Sequence, residues 1–454
     1  MSWLLKNKHG RVGNWVRTAA FLACLAAATA PRASGDELKL AVILTRHGVR
    51  APIEPNDRLA KFSTQAWPKW EVGPGIQTPR GDMMIGLMGD YYRERFTSEG
   101  LLLGDPNAGI PWIYIRADNN QRTIATGRIL GKALVPGSDP EVHSLPTGAA
   151  DPLFKAYLAH VGHADADLAL SALLGRIGGD SRSIEAAYAP QVAAVKAILA
   201  GPGGPPSPNP LDEPTSIAAD YAEYPVKISG ALRSAWLCSD ALLLEYFDGK
   251  PMSEVGWGRE DASSLQSLLS IQELSFDLVA RTKYLAQVLG SNLASHIVDT
   301  LEQAALNQPV PGALGPAGER VVIIAGHDGN IANIGGLLGL NWWIPGTQPN
   351  PLLPGGALVF ELWQREGQPD SFYVRTSYVS QTPEQLRNAT PLTLDNPPGR
   401  SPIFVPGSSG AGPNCDAPLD LFVRHARMAI DPKFVAEEPV AEEPVAEEPA
   451  AEGK

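Results

Sequence analysis

KLAVIL, residues 39–44, runs without a spacer into TRHGVR, residues 45–50, and VVIIA, residues 321–325, runs in the same way into GHDGN, residues 326–330. Short aliphatic runs that end abruptly in polar, glycine-containing segments read as strands buried on both faces. The first is followed by TPRGDMMIGLMGDYYRERF, residues 78–96, with apolar residues at helical spacing and Pro79 in the first turn. The second leads straight into the helical stretch NIANIGGLLGL, residues 330–340. Strands that feed helices belong to α/β sheets, whose ligands gather at the carboxyl ends of the strands. The two histidines, His47 and His327, are therefore expected at one edge of one sheet.

A third strand, IPWIYI at residues 110–115, opens into RADNNQRT at residues 116–123, and a helix is expected from Asn119–Asn120 to Leu134 with Arg122 in its opening turn. ALVFELW, residues 357–363, and FYVRTSYV, residues 372–379, read as antiparallel strands added to the same sheet. Between these parts the chain from about Lys155 to Leu306 reads almost wholly helical, broken by GPGGPPSPNP at residues 201–210. A chain of 454 residues is long for a single core. The expected fold class is α/β, a mixed sheet flanked by helices. Residues 36–154 and 307–432 are expected to form the α/β lobe, and residues 155–306 an inserted, mostly helical lobe.

The two ends read differently. Residues 1–35 carry Lys6, Lys8, Arg11, Arg17 and Arg32 and no acid, then an apolar run from Ala19 to Ala30 and the small residues Ala33-Ser34-Gly35. That is the order of a secretory signal peptide, too short in its apolar part to span a bilayer comfortably. The expectation is a periplasmic or secreted protein with no membrane attachment once the signal is removed. Residues 433–454 repeat AEEPV with seven glutamates and no aromatic residue after Phe434, the composition of a disordered acidic tail. Loss of the five positive charges of residues 1–35 takes the net charge from −12 to −17, which argues against nucleic acid as a partner.

Cys24 leaves with the signal, so only Cys238 and Cys415 remain, bridged or free, and neither belongs to a zinc-binding pattern. His160 and His163 with Asp165 and Asp167 offer metal-ligand residue types, but no third histidine or cysteine follows, and they read as an exposed loop or helix start. No metal and no cofactor is expected. GxxxxGK[ST], HExxH and GxSxG are all absent from the chain.

If the three strands are parallel neighbours, their ends collect Arg46, His47, Arg50, Arg122, His327 and Asp328. Guanidinium forks match phosphate oxygens two at a time, and nearby sequence offers few carboxylates to neutralise them, namely Asp328, Asp118 and Glu54. A neutral histidine attacks phosphorus through a ring nitrogen, and flanking arginines favour that neutral form. His47, with arginine on either side, is the expected nucleophile. His327 is expected to donate to phosphoryl oxygens, and Asp328 to protonate the departing alcohol and later to activate water. A carboxylic acid in that role implies best activity in mildly acidic solution. Asp240, inside an apolar helix, either faces the cleft and contacts substrate or lies on the helix surface.

Arg46-His47-Gly48-Val49-Arg50-Ala51-Pro52 together with His327-Asp328 resembles the paired signatures of the histidine acid phosphatases, the acid branch of the histidine phosphatase superfamily. The resemblance runs from about Lys39 to Ala429. It includes AWPKW at 66–70, TPRG at 78–81, QRT at 121–123 and AGHDGNIANIGGLLGLNW at 325–342, and is nearest to bacterial periplasmic phytases and glucose-1-phosphatases. It implies a phosphoglycerate-mutase-like α/β lobe and a metal-independent hydrolase of small-molecule phosphate monoesters. It also implies His47 as the residue that becomes phosphohistidine, Arg46, Arg50, Arg122 and His327 as the phosphate ligands, and Asp328 as proton donor. Where phytases of this branch carry threonine after the HD pair, this chain has Gly329, whereas Ser239–Gly258 is more similar to the glucose-1-phosphatases. The alternative from another class is a non-catalytic periplasmic binding protein for phosphorylated ligands, which has no use for Asp328. A phosphomutase is a second enzyme class with the same RHG logic.

Overall fold

The computed structural model describes residues 35–102, 112–222, 224–437 and 443–444. The stretch read as a signal peptide, apart from Gly35, lies outside the described residues, as do Cys24 and most of the acidic tail.

The sheet is assembled from β1 (Glu37–Arg46), β2 (Ile113–Ala117), β3 (Val142–Ser144), β6 (Val321–Gly326), β7 (Ala357–Gln364), β8 (Phe372–Ser380), β9 (Gly399–Pro402), β10 (Ala417–Pro418) and β11 (Glu443–Pro444). Two further strands, β4 (Ser216–Ala219) and β5 (Val226–Ser229), form a separate antiparallel hairpin. The spatial order is β10-β8-β7-β1-β6-β2-β3-β11, with β9 also on β8. Its centre, β1-β6-β2-β3, is parallel, and β7 to β10 extend it antiparallel on one side. Register aligns the strand exits. Arg46 sits opposite Gly326 and Ala117 opposite Ala325, so the loops after β1, β6 and β2 leave the sheet at one level.

Two faces are covered because the central strands are aliphatic throughout. On β1, Leu40, Val42 and Leu44 join one buried cluster while Ala41 and Ile43 join the other, and Val322 and Ile324 alternate with Ile323 and Ala325 on β6. Helices Pro79–Ser98 and Gln121–Leu134 cover one face through Ile85, Met88, Tyr92, Phe96, Leu130 and Leu134. Helices Lys283–Leu306, Asp328–Leu338 and Leu419–Ala429 lie on the other, in the same cluster as helices Ala231–Phe247 and Ala262–Val279. Burying one such aliphatic side chain contributes about 1.5–3 kcal/mol. Helix Pro79–Ser98 is also pinned to β7 by charge: Arg95 meets Glu361 at 2.5 Å, both buried.

Three sequence expectations differ from what is observed. The strand expected at residues 110–115 runs instead from Ile113 to Ala117, with residues 110–111 outside the described set. Its extension takes in Arg116, a charged residue that reads as a strand end but is buried here against Asp151 at 2.6 Å and over the Phe154 ring. The stretch read as almost wholly helical contains the β4–β5 hairpin, whose four-residue strands are too short to display an alternating pattern. Of the tail, Phe434 is buried in a short 3₁₀ turn, and Glu443–Pro444 pairs antiparallel with Ser144–His143 of β3. Cys238 and Cys415 are both free. Among the described residues no helix is long and apolar enough to cross a membrane.

Candidate active site

Each strand exit delivers a different part of the site. After β1, the backbone N–H of His47 donates to the Gly326 carbonyl at 3.1 Å, tying the RHG turn to the end of β6. His47 is buried and its Nδ1 lies 2.8 Å from its neighbour's carbonyl, Gly48 O. An acceptor oxygen at that position requires the proton on Nδ1, which leaves the lone pair on Nε2. Burial holds the ring well below the ordinary histidine range, and the charges of Arg122, Arg46, Arg50 and His327 depress it further. His47 is thus a neutral imidazole with one nitrogen free to attack.

The turn is held by Gln77, two residues before helix Pro79–Ser98, and by Thr126 of helix Gln121–Leu134. The Gly48 N–H donates to Gln77 Oε1 at 2.9 Å and to Thr126 Oγ1 at 3.1 Å, and Thr126 donates in turn to Gln77 Oε1. A Cβ on Gly48 would lie 2.9 Å from that same Gln77 oxygen and from Ile85, so glycine is required by close approach.

Arg46 is buried, donates to the Leu352 carbonyl and lies 3.1 Å from Asp328. Arg50 is buried and meets Asp240 at 3.2 Å. Arg122, in the first turn of helix Gln121–Leu134, donates to the Gly75 carbonyl at 3.2 Å. Burial and the neighbouring Arg50 lower its guanidinium to about 10. The Nε atoms of all three arginines are buried without a hydrogen-bond partner, donors suited to an anion.

After β6, His327 precedes helix Asp328–Leu338 and its ring meets that of His47 edge to face, centroids 5.5 Å apart. Its Nε2 lies 2.6 Å from Asp118 Oδ2. Asp118, at the exit of β2, is completely buried. Burial alone would raise its carboxyl, but the hydrogen bond and charge of His327 and the ammonium of Lys155, 2.9 Å away, bring it down to about 2. Burial likewise pushes Asp328 upward, and the charges of Arg46 and Arg50 outweigh it, so the carboxyl sits below its ordinary value.

The structure therefore brings together His47, Arg46, Arg50, Arg122, His327 and Asp328, and adds Asp240 through Arg50 and, at 3.4 Å, Gln272. Carboxylates are less scarce than nearby sequence indicated: Asp328 and Asp240 partner two of the arginines, while Glu54 pairs instead with Arg58. Sequence reading missed the work of Asp118, Gln77 and Thr126. Asp118 stood in a quoted strand exit, and its place beside Arg122 was the available signal. His160 and His163 lie in a turn where Asp165 caps helix Ala166–Arg176, and no group of three metal-ligating side chains occurs among the described residues.

Residues 37–379 match the model of the histidine phosphatase superfamily, branch 2. The chain is 34% identical over 392 residues to phytase AppA of Escherichia coli (strain K12), covering 82% of this chain and 88% of the relative. It is 26% identical over 395 residues to the glucose-1-phosphatase of Salmonella typhimurium, covering 86% and 91%. Among solved structures, Hafnia alvei phytase in complex with myo-inositol hexakis sulphate superposes with a TM-score of 0.79 at 34% identity, covering 88% of this chain and 99% of that one.

Proposed function

The chain belongs to branch 2 of the histidine phosphatase superfamily and is a histidine-type acid phosphatase, a hydrolase of phosphate monoesters; from that premise we propose that it is an exported enzyme working through a covalent phosphohistidine, with phytate or sugar phosphates such as glucose-1-phosphate as substrates. The observation that carries the mechanism is the state of His47: a buried neutral ring whose Nδ1 proton is held by Gly48 O, leaving the lone pair on Nε2, with the charges of Arg122, Arg46 and Arg50 bearing on the ring.

In the first step the Nε2 lone pair forms a bond to phosphorus and the ester P–O bond breaks. Arg46, Arg50 and Arg122 hold the phosphoryl oxygens, where their charge counts most as negative charge shifts onto them. The ring becomes a phospho-imidazolium whose Nδ1–H is still held by the Gly48 carbonyl. Asp328 gives its proton to the departing alkoxide. In the second step water attacks phosphorus, its proton returns to Asp328, and the N–P bond breaks to release phosphate and neutral His47.

Asp328 is held ionised by arginines before substrate arrives. A phosphate dianion draws those arginines to itself and places negative charge beside the carboxyl, and both effects favour protonation. Turnover therefore falls as pH rises and the bound complex loses that proton. Export rests on the order of charged, apolar and small residues in residues 1–35, and the substrate classes rest on the phytase and glucose-1-phosphatase relatives.

The test is release of inorganic phosphate from phytate and from glucose-1-phosphate in mildly acidic buffer containing a strong chelator. Asp328→Asn is expected to lower kcat on glucose-1-phosphate by roughly 10²–10⁴-fold, the usual worth of a general acid. It should cost far less on 4-nitrophenyl phosphate, whose leaving group needs little proton help. Unchanged hydrolysis of the sugar ester by Asp328→Asn would end the acid assignment. Failure of the unaltered protein to release phosphate from either ester, with phosphate still bound, would favour a binding protein.

A further inference from the structure

Beyond the groups that touch phosphate, we propose that Lys155 is a positioning residue that sets the protonation state of His327 by sharing the Asp118 carboxylate. The proposal rests on the phosphatase reading for its kinetic consequence, though not for its direct test.

One oxygen carries the arrangement. Asp118 Oδ2 accepts from His327 Nε2 at 2.6 Å and from Lys155 Nζ at 2.9 Å, while Oδ1 is buried without a partner. Lys155 is also placed more firmly than a surface lysine. Its backbone N–H donates to the Asp151 carbonyl at 2.7 Å, and Asp151 is locked to Arg116 at 2.6 Å. Its ammonium also donates to Asn119 Oδ1 at 3.2 Å, and that amide donates to the Pro146 and Ala149 carbonyls at 2.7 and 2.8 Å. The side chain is about one-quarter exposed, so its charge is partly desolvated and acts at short range.

A buried carboxylate facing an imidazole favours imidazolium, and an ammonium on the same oxygen draws off part of that pull. The remaining charges around His327 come from every element packed against it. Arg122, from helix Gln121–Leu134, opposes a proton on the ring, and Asp328, next in the chain, favours one. Asp328 is itself engaged by Arg46, His47 is neutral, and Tyr224 from the β4–β5 loop lies near enough to Asp328 to feel its charge. In that balance burial dominates and His327 sits below the ordinary histidine value.

Without the ammonium, Asp118 acts on His327 alone. The ring then takes a proton more readily and adds a positive charge to a pocket whose product is an anion. Inorganic phosphate is expected to inhibit up to a higher pH in such a variant, and to leave more slowly.

The direct test is an NMR titration of the His327 Cε1–H in the substrate-free full chain, its signal identified by its loss in His327→Gln. Lys155→Met, and Lys155→Gln as a second charge-removing variant should the first fail to fold, are expected to move the His327 midpoint upward by about one pH unit. Lys155→Arg, which keeps the charge, is expected to leave it within a few tenths of a unit of the unaltered protein. A midpoint that stays or falls in the charge-removing variants, or that moves as far in Lys155→Arg, overturns the assignment. Phosphate inhibition constants measured against pH follow the same shift. Absence of phosphatase activity in the unaltered chain would overturn the function it rests on while leaving the titration readable.

Discussion

Gly329 is the second residue of the helix that begins at Asp328, and a Cβ built there meets nothing within 4 Å. Its backbone is helical, so a side chain is tolerated by both conformation and space. Gly329→Ala is expected to leave kcat within about twofold and to raise stability by a few tenths to about 1 kcal/mol, read from denaturant unfolding. Gly329→Thr introduces the hydroxyl that the resemblance to phytases implies next to Asp328, the proposed proton donor, and is expected to raise the ratio of phytate to glucose-1-phosphate turnover measured side by side. A fall in that ratio would separate the hydroxyl from phytate preference in this chain. At this scale the placement of the candidate residues was readable wherever one stands at or just after a strand exit: His47, His327 and Arg122 come together as their strands' register predicts. It was least readable where the partner comes from elsewhere in the chain. Asp240 reaches Arg50 across 190 residues, and Lys155 reaches Asp118 across helix Gln121–Leu134 and β3, and no spacing rule encodes either meeting.

Helix Pro79–Ser98 shows how an element that supplies none of the candidate residues holds the turn carrying His47, the proposed nucleophile. Thr78 caps it, its Oγ1 accepting from the Gly81 N–H at 3.0 Å, while the Thr78 N–H donates to the Val49 carbonyl at 2.9 Å. Gly81 presses directly on that carbonyl: a Cβ there would lie 2.1 Å from Val49 O, a backbone atom that cannot turn aside. Gly81→Ala is therefore expected to push the helix start away from the RHG turn. The cost should be on the order of 1–3 kcal/mol, as for other overpacked sites, and kcat should drop at least tenfold as Gln77 loses its hold on Gly48. Thermal melts and steady-state rates on one substrate check both. Pro79 and the apolar spacing made this helix legible from sequence within two residues at its end. The β4–β5 hairpin was not legible, because two strands of four residues carry no period that stands out from the helices around them.

For the molecule as a whole, buried carboxyls decide how the fold responds to pH. Burial raises Glu245 and Glu260 to about 8 and Glu273 to about 9, against an ordinary 4.5. A carboxyl whose folded value is raised stabilises the fold fully below its unfolded value, and that contribution is lost as pH climbs through the folded value. Asp118, lowered to about 2, acts oppositely: its contribution is present above about 4 and lost in stronger acid. The melting temperature is expected to peak near pH 4–5 and to fall steadily toward pH 8–9, with Glu273→Gln flattening the alkaline decline, as calorimetry across that range would show. The parallel sheet carries another consequence, one of timing. β6 lies between β1 and β2, so β1 has no parallel partner until residue 326 has been made, some 280 residues after its own end. During synthesis the first strand waits with its central aliphatic edge unpaired, and closing so long a loop is slow. A chain that cannot complete its sheet early also cannot lock itself into the native state early. For the export proposed above, such a delay would keep the chain threadable through a membrane pore, and the two histidines meet only once both ends of the sheet have been made.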